Sequence, residues 1–355
     1  MAVARFTAFG LGLALILGAG SAASDPRPKR SAAVAAKPHT ERRVAGCRVQ
    51  GLAEPRANAP IEDAQGRLLA RFSGAVTELV VEGFPAEPNG RVRVTTGTGT
   101  GSFRVQGFTP VRELSLYAAA PIAIAPGHVW IAQGKSLSYL GSGRGALHVE
   151  KRVSVPFAQS FRAWAPCAAV SLSQPAQPAR PVAVSVTPQG DAPAYVVRRA
   201  RLDLLGDPRK PDARLLTLQS SSQAPPARFF GRELRGSFLR VEYRGDLIID
   251  AWVRAGDLEA LPAGEALDQL GTDGGSRISA QLAVQGEPRV VKALREVPFR
   301  ARALDSEPPI GVIEPEAEAY VLDVVAGWVS VMPKSLQVVP RPDGQFWVRA
   351  EELGM

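Results

Sequence analysis

From residue 46 onward, apolar side chains recur at every second position in short runs, and each run is bounded by Gly, Pro, Asn or Asp. Arg91-Val92-Arg93-Val94, Ser102-Phe103-Arg104-Val105 and Gly145-Ala146-Leu147-His148-Val149 all follow this rule. Alternation of this kind places side chains on two opposite faces, the period of a half-buried strand. Leu68 to Phe72, Glu78 to Val81, Leu215 to Leu218, Ile310 to Ile313 and Tyr320 to Val325 are further strand-like runs. The predicted fold class is all-β.

Two segments are nearly the same hairpin. Gly236-Ser237-Phe238-Leu239-Arg240-Val241 leads through Arg244-Gly245-Asp246 into Ala251-Trp252-Val253-Arg254-Ala255 and on to Leu258. Gly327-Trp328-Val329-Ser330-Val331 leads through Pro342-Asp343-Gly344 into Phe346-Trp347-Val348-Arg349-Ala350 and on to Leu353. A hairpin that returns in this way marks a repeated module. Two weaker copies precede it. Gly90 and Gly145 open similar strands, and Ser102-Phe103-Arg104 and Ser160-Phe161-Arg162 stand at the same interval before Leu114 and Leu172. The chain therefore divides into modules at 46–114, 115–173, 193–262 and 290–355, with a Pro-rich linker at 174–192 and a Gly-rich one at 263–289, where a strand at Ile278 to Val284 is possible.

The N-terminus carries a different signal. Arg5, the apolar run Phe9 to Leu17 and small residues at Ala19 to Ala23 have the form of a signal peptide over 1–23. The run is short for a membrane span, so no integral membrane segment is expected after cleavage. No cysteine lies near the cleavage site, which argues against a lipobox. A secreted or periplasmic protein follows. Residues 24–45 form a basic arm without apolar period, expected to be disordered: Arg27, Lys29, Arg30, Lys37, Arg42 and Arg43 face only Asp25 and Glu41. Much of the net charge of +8 thus sits on the arm, and no basic block elsewhere suggests nucleic acid. Aromatics make up only 6% of the chain, against 34 glycines and 30 prolines, which suits many short strands. The two cysteines, Cys47 and Cys167, are expected to pair as a disulfide in an exported protein, with two separately buried thiols as the alternative.

The fourth module resembles a bacterial SH3-type (SH3b) domain. The resemblance lies in Ile310-Gly311-Val312-Ile313, the apolar strand from Tyr320, Gly327-Trp328-Val329-Ser330-Val331, and the closing Trp347-Val348 with Leu353. The third is similar, with Phe238 in place of the first Trp, and the first two are tied to the set by internal similarity. The resemblance implies tandem small SH3-like β-barrels joined by Pro/Gly-rich linkers. It further implies a binding role, commonly toward peptidoglycan or another envelope component.

Side chains able to do chemistry are sparse. A cysteine nucleophile needs a histidine within reach, and only His39, His128 and His148 exist. Neither cysteine lies in a peptidase-like setting, and three scattered histidines do not suggest zinc. Gly97 to Gly101 superficially resembles a phosphate cradle, but a strand rather than a helix follows it. Arg244-Gly245-Asp246 reads as a turn, and Glu314, Glu316 and Glu318 as one solvated strand face. The expectation is a non-enzymatic protein with no cofactor and no metal. Trp252 and Trp347 are expected in the core, whereas Trp328 would lie at the surface and form a ligand groove with Tyr320 and Arg349. Partners would be a cell-wall glycan or peptide, or an envelope protein. The alternative role is a structural scaffold or adhesin-like subunit of an envelope complex, and a third is an accessory protein of a cell-wall hydrolase.

Overall fold

The structure, a computed structural model, describes residues 46–97, 101–175, 193–210, 212–221, 226–261, 289–342 and 344–355. The segments read as signal peptide and basic arm lie outside them, as do 98–100 of the Gly/Thr loop and nearly all of both linkers. Among the described residues there is no α-helix, only strands and one-turn 3-10 helices.

One order of strands recurs four times. The first repeat contains β1 (Arg48–Ala53), β2 (Pro60–Glu62), β3 (Leu68–Phe72), β4 (Thr77–Glu82), β5 (Arg91–Thr96) and β6 (Phe103–Pro110), then a 3-10 turn at Val111–Glu113. The second contains β7 (Leu116–Ala118), β8 (Ile122–Ala125), β9 (Val129–Ile131), β10 (Ser136–Gly143), β11 (Ala146–Val153) and β12 (Gln159–Pro166), then a 3-10 turn at Cys167–Ala169 and β13 (Val170–Ser171). The third contains β14 (Ala194–Val197), β15 (Arg201–Leu205), β16 (Arg214–Gln219), β17 (Arg228–Arg235), β18 (Phe238–Arg244) and β19 (Leu247–Arg254), then the turn Ala255–Asp257 and β20 (Leu258–Ala260). The fourth contains β21 (Val290–Lys292), β22 (Val297–Arg300), β23 (Pro309–Ile313), β24 (Glu318–Val325), β25 (Trp328–Pro333), β26 (Val338–Val339) and β27 (Phe346–Arg349), then the turn Ala350–Leu353.

In every repeat the opening strand pairs with the first of three adjacent antiparallel strands, giving β1-β4-β5-β6, β7-β10-β11-β12, β14-β17-β18-β19 and β21-β24-β25-β27. The chain after the 3-10 turn returns to the opening strand, as β13 does on β7 and β20 on β14. The last strand of the three is met by the hairpin that follows the opening strand: β2 on β6, β15 on β19 and β22 on β27.

Hairpin strands also cross between repeats, and they cross in pairs. β23 of the fourth repeat pairs with β6 of the first, while β3 of the first pairs with β26 of the fourth. β9 of the second pairs with β19 of the third, while Ser220, at the end of β16, bridges to Phe157 before β12. The first and fourth repeats thus share a thirteen-stranded sheet, the third and the β8–β9 hairpin form a nine-stranded one, and the rest of the second forms a five-stranded one. None of the three closes on itself.

Each joint is filled by three aromatic rings. Phe103 packs on Phe299 (5.4 Å) and Phe299 on Phe346 (4.9 Å). Phe157, Phe229 and Tyr243 form the counterpart, at 5.3–6.4 Å. Tilted and edge-on geometries at such separations add to the area buried. Gly311, paired with Val105, is required by the close approach at the first joint: a Cβ there would lie 2.4 Å from the Arg104 carbonyl oxygen. The first and second repeats are linked by the Cys47–Cys167 disulfide. They are also linked by the Ser142 hydroxyl, which donates to the Phe84 carbonyl at 2.6 Å, and by Tyr139, which donates to Pro85. The interior is one continuous apolar cluster running through all four repeats.

Candidate ligand-binding site

Strands β25 and β27 send alternate residues to opposite faces. Val329, Val331, Phe346 and Val348 are 0–1% exposed and form the core side. Trp328, Ser330, Trp347 and Arg349 project from the other side, with Trp328 opposite Arg349, Ser330 opposite Trp347, and Arg300 of β22 beyond Trp347.

The exposures of the two tryptophans are the reverse of those expected from the sequence. Trp328 is only 5% exposed. The Arg349 guanidinium lies 4.3 Å from its ring centroid and that of Arg300 5.5 Å away, the geometry of cation–π contacts. Arg349 is held over the ring by Asp305, to which its Nε donates at 3.0 Å. The hydrogen bond that Arg349 donates to Asp305 raises the guanidinium pKa above its usual value, against the opposing effect of desolvation. The β22–β23 loop carrying Asp305 therefore roofs Trp328, a tertiary contact that alternation along β25 does not encode. Tyr320 shares the face but stands opposite Met332, four residues along β25 from Trp328, ~13 Å along the strand. The structure thus brings Trp328 and Arg349 together and leaves Tyr320 apart.

Trp347 is half-buried and faces a cleft of about 440 Å³, lined among others by Arg302, Ala303, Arg341, Pro342 and Gln345. The cleft is open to solvent on most of its extent, so a ligand there would rest on the surface and not be enclosed. An indole face, two guanidinium groups and a side-chain amide offer an apolar platform ringed by hydrogen-bond donors.

The position of Trp347 is occupied by an aromatic residue in each repeat: Phe108, Trp164, Trp252 and Trp347 all stand three residues before the 3-10 turn. Three of them pair with the hairpin strand, Phe108 with Glu62, Trp252 with Leu205 and Trp347 with Arg300. Their covers differ. Arg91 lies over Phe108 at 5.5 Å and Arg235 over Trp252 at 5.2 Å, and Trp252 is 7% exposed. Trp164 is 55% exposed and lies against His148. Matching the first two repeats through Ser102 and Ser160 conceals this equivalence, because that register is shifted by two residues from the one set by the 3-10 turn. The signal was present as aromatic-x-(Pro/Arg)-x-x-x-(Leu/Val): Phe108 to Leu114, Trp164 to Val170, Trp252 to Leu258 and Trp347 to Leu353.

The remaining polar candidates are engaged in structure. Asp246 of the Arg-Gly-Asp turn reaches into the joint with the second repeat, 2.8 Å from Lys135 Nζ and 3.1 Å from Lys151 Nζ. Burial opposes its ionisation, but the hydrogen bonds and charges of the two lysines outweigh that and hold its pKa below the usual carboxylate range. Burial pushes the Tyr243 hydroxyl up to about 12, with a smaller contribution from Asp246. Glu314, Glu316 and Glu318 do not share a strand face. Glu314 and Glu316 lie in the turn before β24, where Glu316 has φ 70°, and the three pair separately with Arg104, Lys292 and Lys334. His128 Nδ1 lies 3.0 Å from the Asp250 carbonyl oxygen. Among the described residues no group of three His, Cys, Asp or Glu side chains is placed to hold a metal ion, and no helix is long and apolar enough to cross a membrane.

No family model matches the chain, and neither a curated protein nor a solved structure matches it.

Proposed function

We propose that this is an exported, non-enzymatic binding protein that recognises peptidoglycan or another cell-envelope ligand through SH3-like modules, each a small barrel opened by the exchange of a hairpin strand with another repeat. The observation that carries this reading is the aromatic residue at the same outward position of every repeat, which in the fourth opens onto the cleft between Arg302 and Arg341. Aromatic anchors flanked by arginine are the groups that most often dominate binding energy. The Cys47–Cys167 disulfide and the N-terminal signal-like segment both support an oxidising, extracytoplasmic setting.

Co-sedimentation with purified sacculi tests the proposal. The wild-type chain is expected to be retained above a control protein of like net charge, and Trp347→Ala to weaken retention about tenfold or more. Retention no better than the control overturns the reading. The scaffold alternative is favoured by one feature, the exposed apolar strip of Leu322, Val324 and Val325 on β24, at 48%, 53% and 49% exposure. It predicts a stoichiometric protein partner in affinity capture from envelope extracts, and no glycan.

A further inference from the structure

Trp164 differs from its three counterparts in what lies over it. Among the described residues no guanidinium lies over its ring, and more than half of its surface is in solvent. Beneath it lies the His148 ring, 4.8 Å away and inclined by only 16°. A Cβ added at Gly143 would meet the far edge of the indole at 3.5 Å. The indole therefore lies down across β11 and onto β10 instead of standing away from the sheet. A distance of 3.5 Å is ordinary van der Waals contact, so the far edge of the indole rests on the β10 backbone at Gly143. An exposed Trp laid flat in this way presents one broad face to solvent at a fixed orientation, with little conformational freedom to lose on binding.

The surroundings indicate what that face is suited to. The pairs His148–Trp164 and Glu150–Arg162 are consecutive same-face positions of the β11–β12 ladder. Arg162 Nε donates to Glu150 Oε1 at 3.1 Å, so the charges next to the indole are neutralised while the pair still offers both donors and acceptors. Two residues along a strand span ~7 Å, the scale of one six-membered sugar ring. The face of a pyranose bears C–H groups that meet the negative π-face of an indole favourably, and its rim of hydroxyls both donates and accepts. An apolar protein partner would leave the Arg162–Glu150 pair to be desolvated, which is costly, whereas hydroxyls replace the water on it.

We infer that Trp164, with His148 as its support and Arg162–Glu150 as its polar edge, is a platform for a pyranose ring of an uncharged glycan. This site lies on the second repeat and is separate from the Trp347 cleft. It rests on the glycan-binding form of the function proposed above.

The test uses the full chain and a hexamer of β-1,4-linked N-acetylglucosamine as probe, followed by titration calorimetry, with sacculus retention measured in parallel. The wild-type chain binds the hexamer, Trp164→Ala weakens that binding about tenfold or more, and Trp164→Phe, which keeps a ring, restores part of it. Because Trp164 is exposed, Trp164→Ala keeps the wild-type unfolding midpoint in urea. His148→Ala, which removes the support but not the indole, gives a smaller loss than Trp164→Ala. No binding of the hexamer by the wild-type chain, or equal binding by Trp164→Ala, overturns the inference. So does conversion of a wild-type dimer into a monomer by Trp164→Ala in analytical ultracentrifugation, because the face would then be a protein contact. If the hexamer result fails while sacculi are still retained through Trp347, this inference falls alone. If sacculi are not retained, the wider proposal falls with it.

Discussion

Trp328, Trp347 and Trp164 are the same residue on comparable strand faces, and their neighbours give them three different environments. Trp328 is in contact with two guanidinium groups under the Asp305 loop, Trp347 lines a cleft, and Trp164 is spread on a histidine in the open. A buried indole removed without replacement leaves a cavity and strands the cations above it. Trp328→Ala is therefore expected to cost about 3–5 kcal/mol of stability, read as a lower urea midpoint at unchanged m-value. Trp347→Ala, acting at a half-exposed position, is expected to change ligand retention with little change in that midpoint. Equal midpoints for wild type and Trp328→Ala would show that Trp328 is not part of the packed structure.

At the scale of elements, the strands were legible and their partners were not. Alternation predicts runs such as Arg91 to Val94 and Phe103 to Val105, which are parts of β5 and β6. It records which face is buried but not which neighbour completes the ladder. The exchange of β23 onto β6, and of β9 onto β19, joins residues far apart in the chain and has no local signature beyond a compulsory glycine such as Gly311. The same joints place Asp246 between Lys135 and Lys151, and this gives them a pH dependence. The folded pKa of Asp246 is depressed. Its contribution is therefore complete above the unfolded value of about 3.9 and is lost as pH falls through the lower folded value. At pH 7, Asp246→Asn is expected to be less stable than wild type by about 1–3 kcal/mol, and the two should converge as pH is lowered from 5 toward 2. Urea unfolding across that range measures it, and a gap that widened on acidification would contradict the assignment.

For the whole molecule, the disulfide and the exchanged strands act on the same problem, the cost of bringing distant segments together. Cys47 and Cys167 close a loop with a sequence separation of 120 residues. By the chain-entropy estimate, cross-linking a loop of that size stabilises the fold by about 4–5 kcal/mol. The double variant Cys47→Ser with Cys167→Ser is expected to lose stability of that order and to become insensitive to reductant, whereas the wild-type chain should lose its advantage when reduced. An unchanged midpoint for wild type under reductant would show that the bridge does not hold the two repeats.

The sequence by itself determined the all-β character, because period-2 alternation is a local property, and it pointed to the cysteine pair, whose bridging the tertiary structure then decided. The sequence also carried the repeated aromatic, although the register through Ser102 and Ser160 concealed two of its four occurrences. Tertiary structure alone decided that the first repeat joins the fourth and the second joins the third, that Trp328 is roofed while Trp347 and Trp164 are not, and that Asp246 is engaged by lysines. Each of these depends on which surface approaches which. A strand's pattern fixes only the direction its side chains point, whereas what they meet is set by packing across the chain.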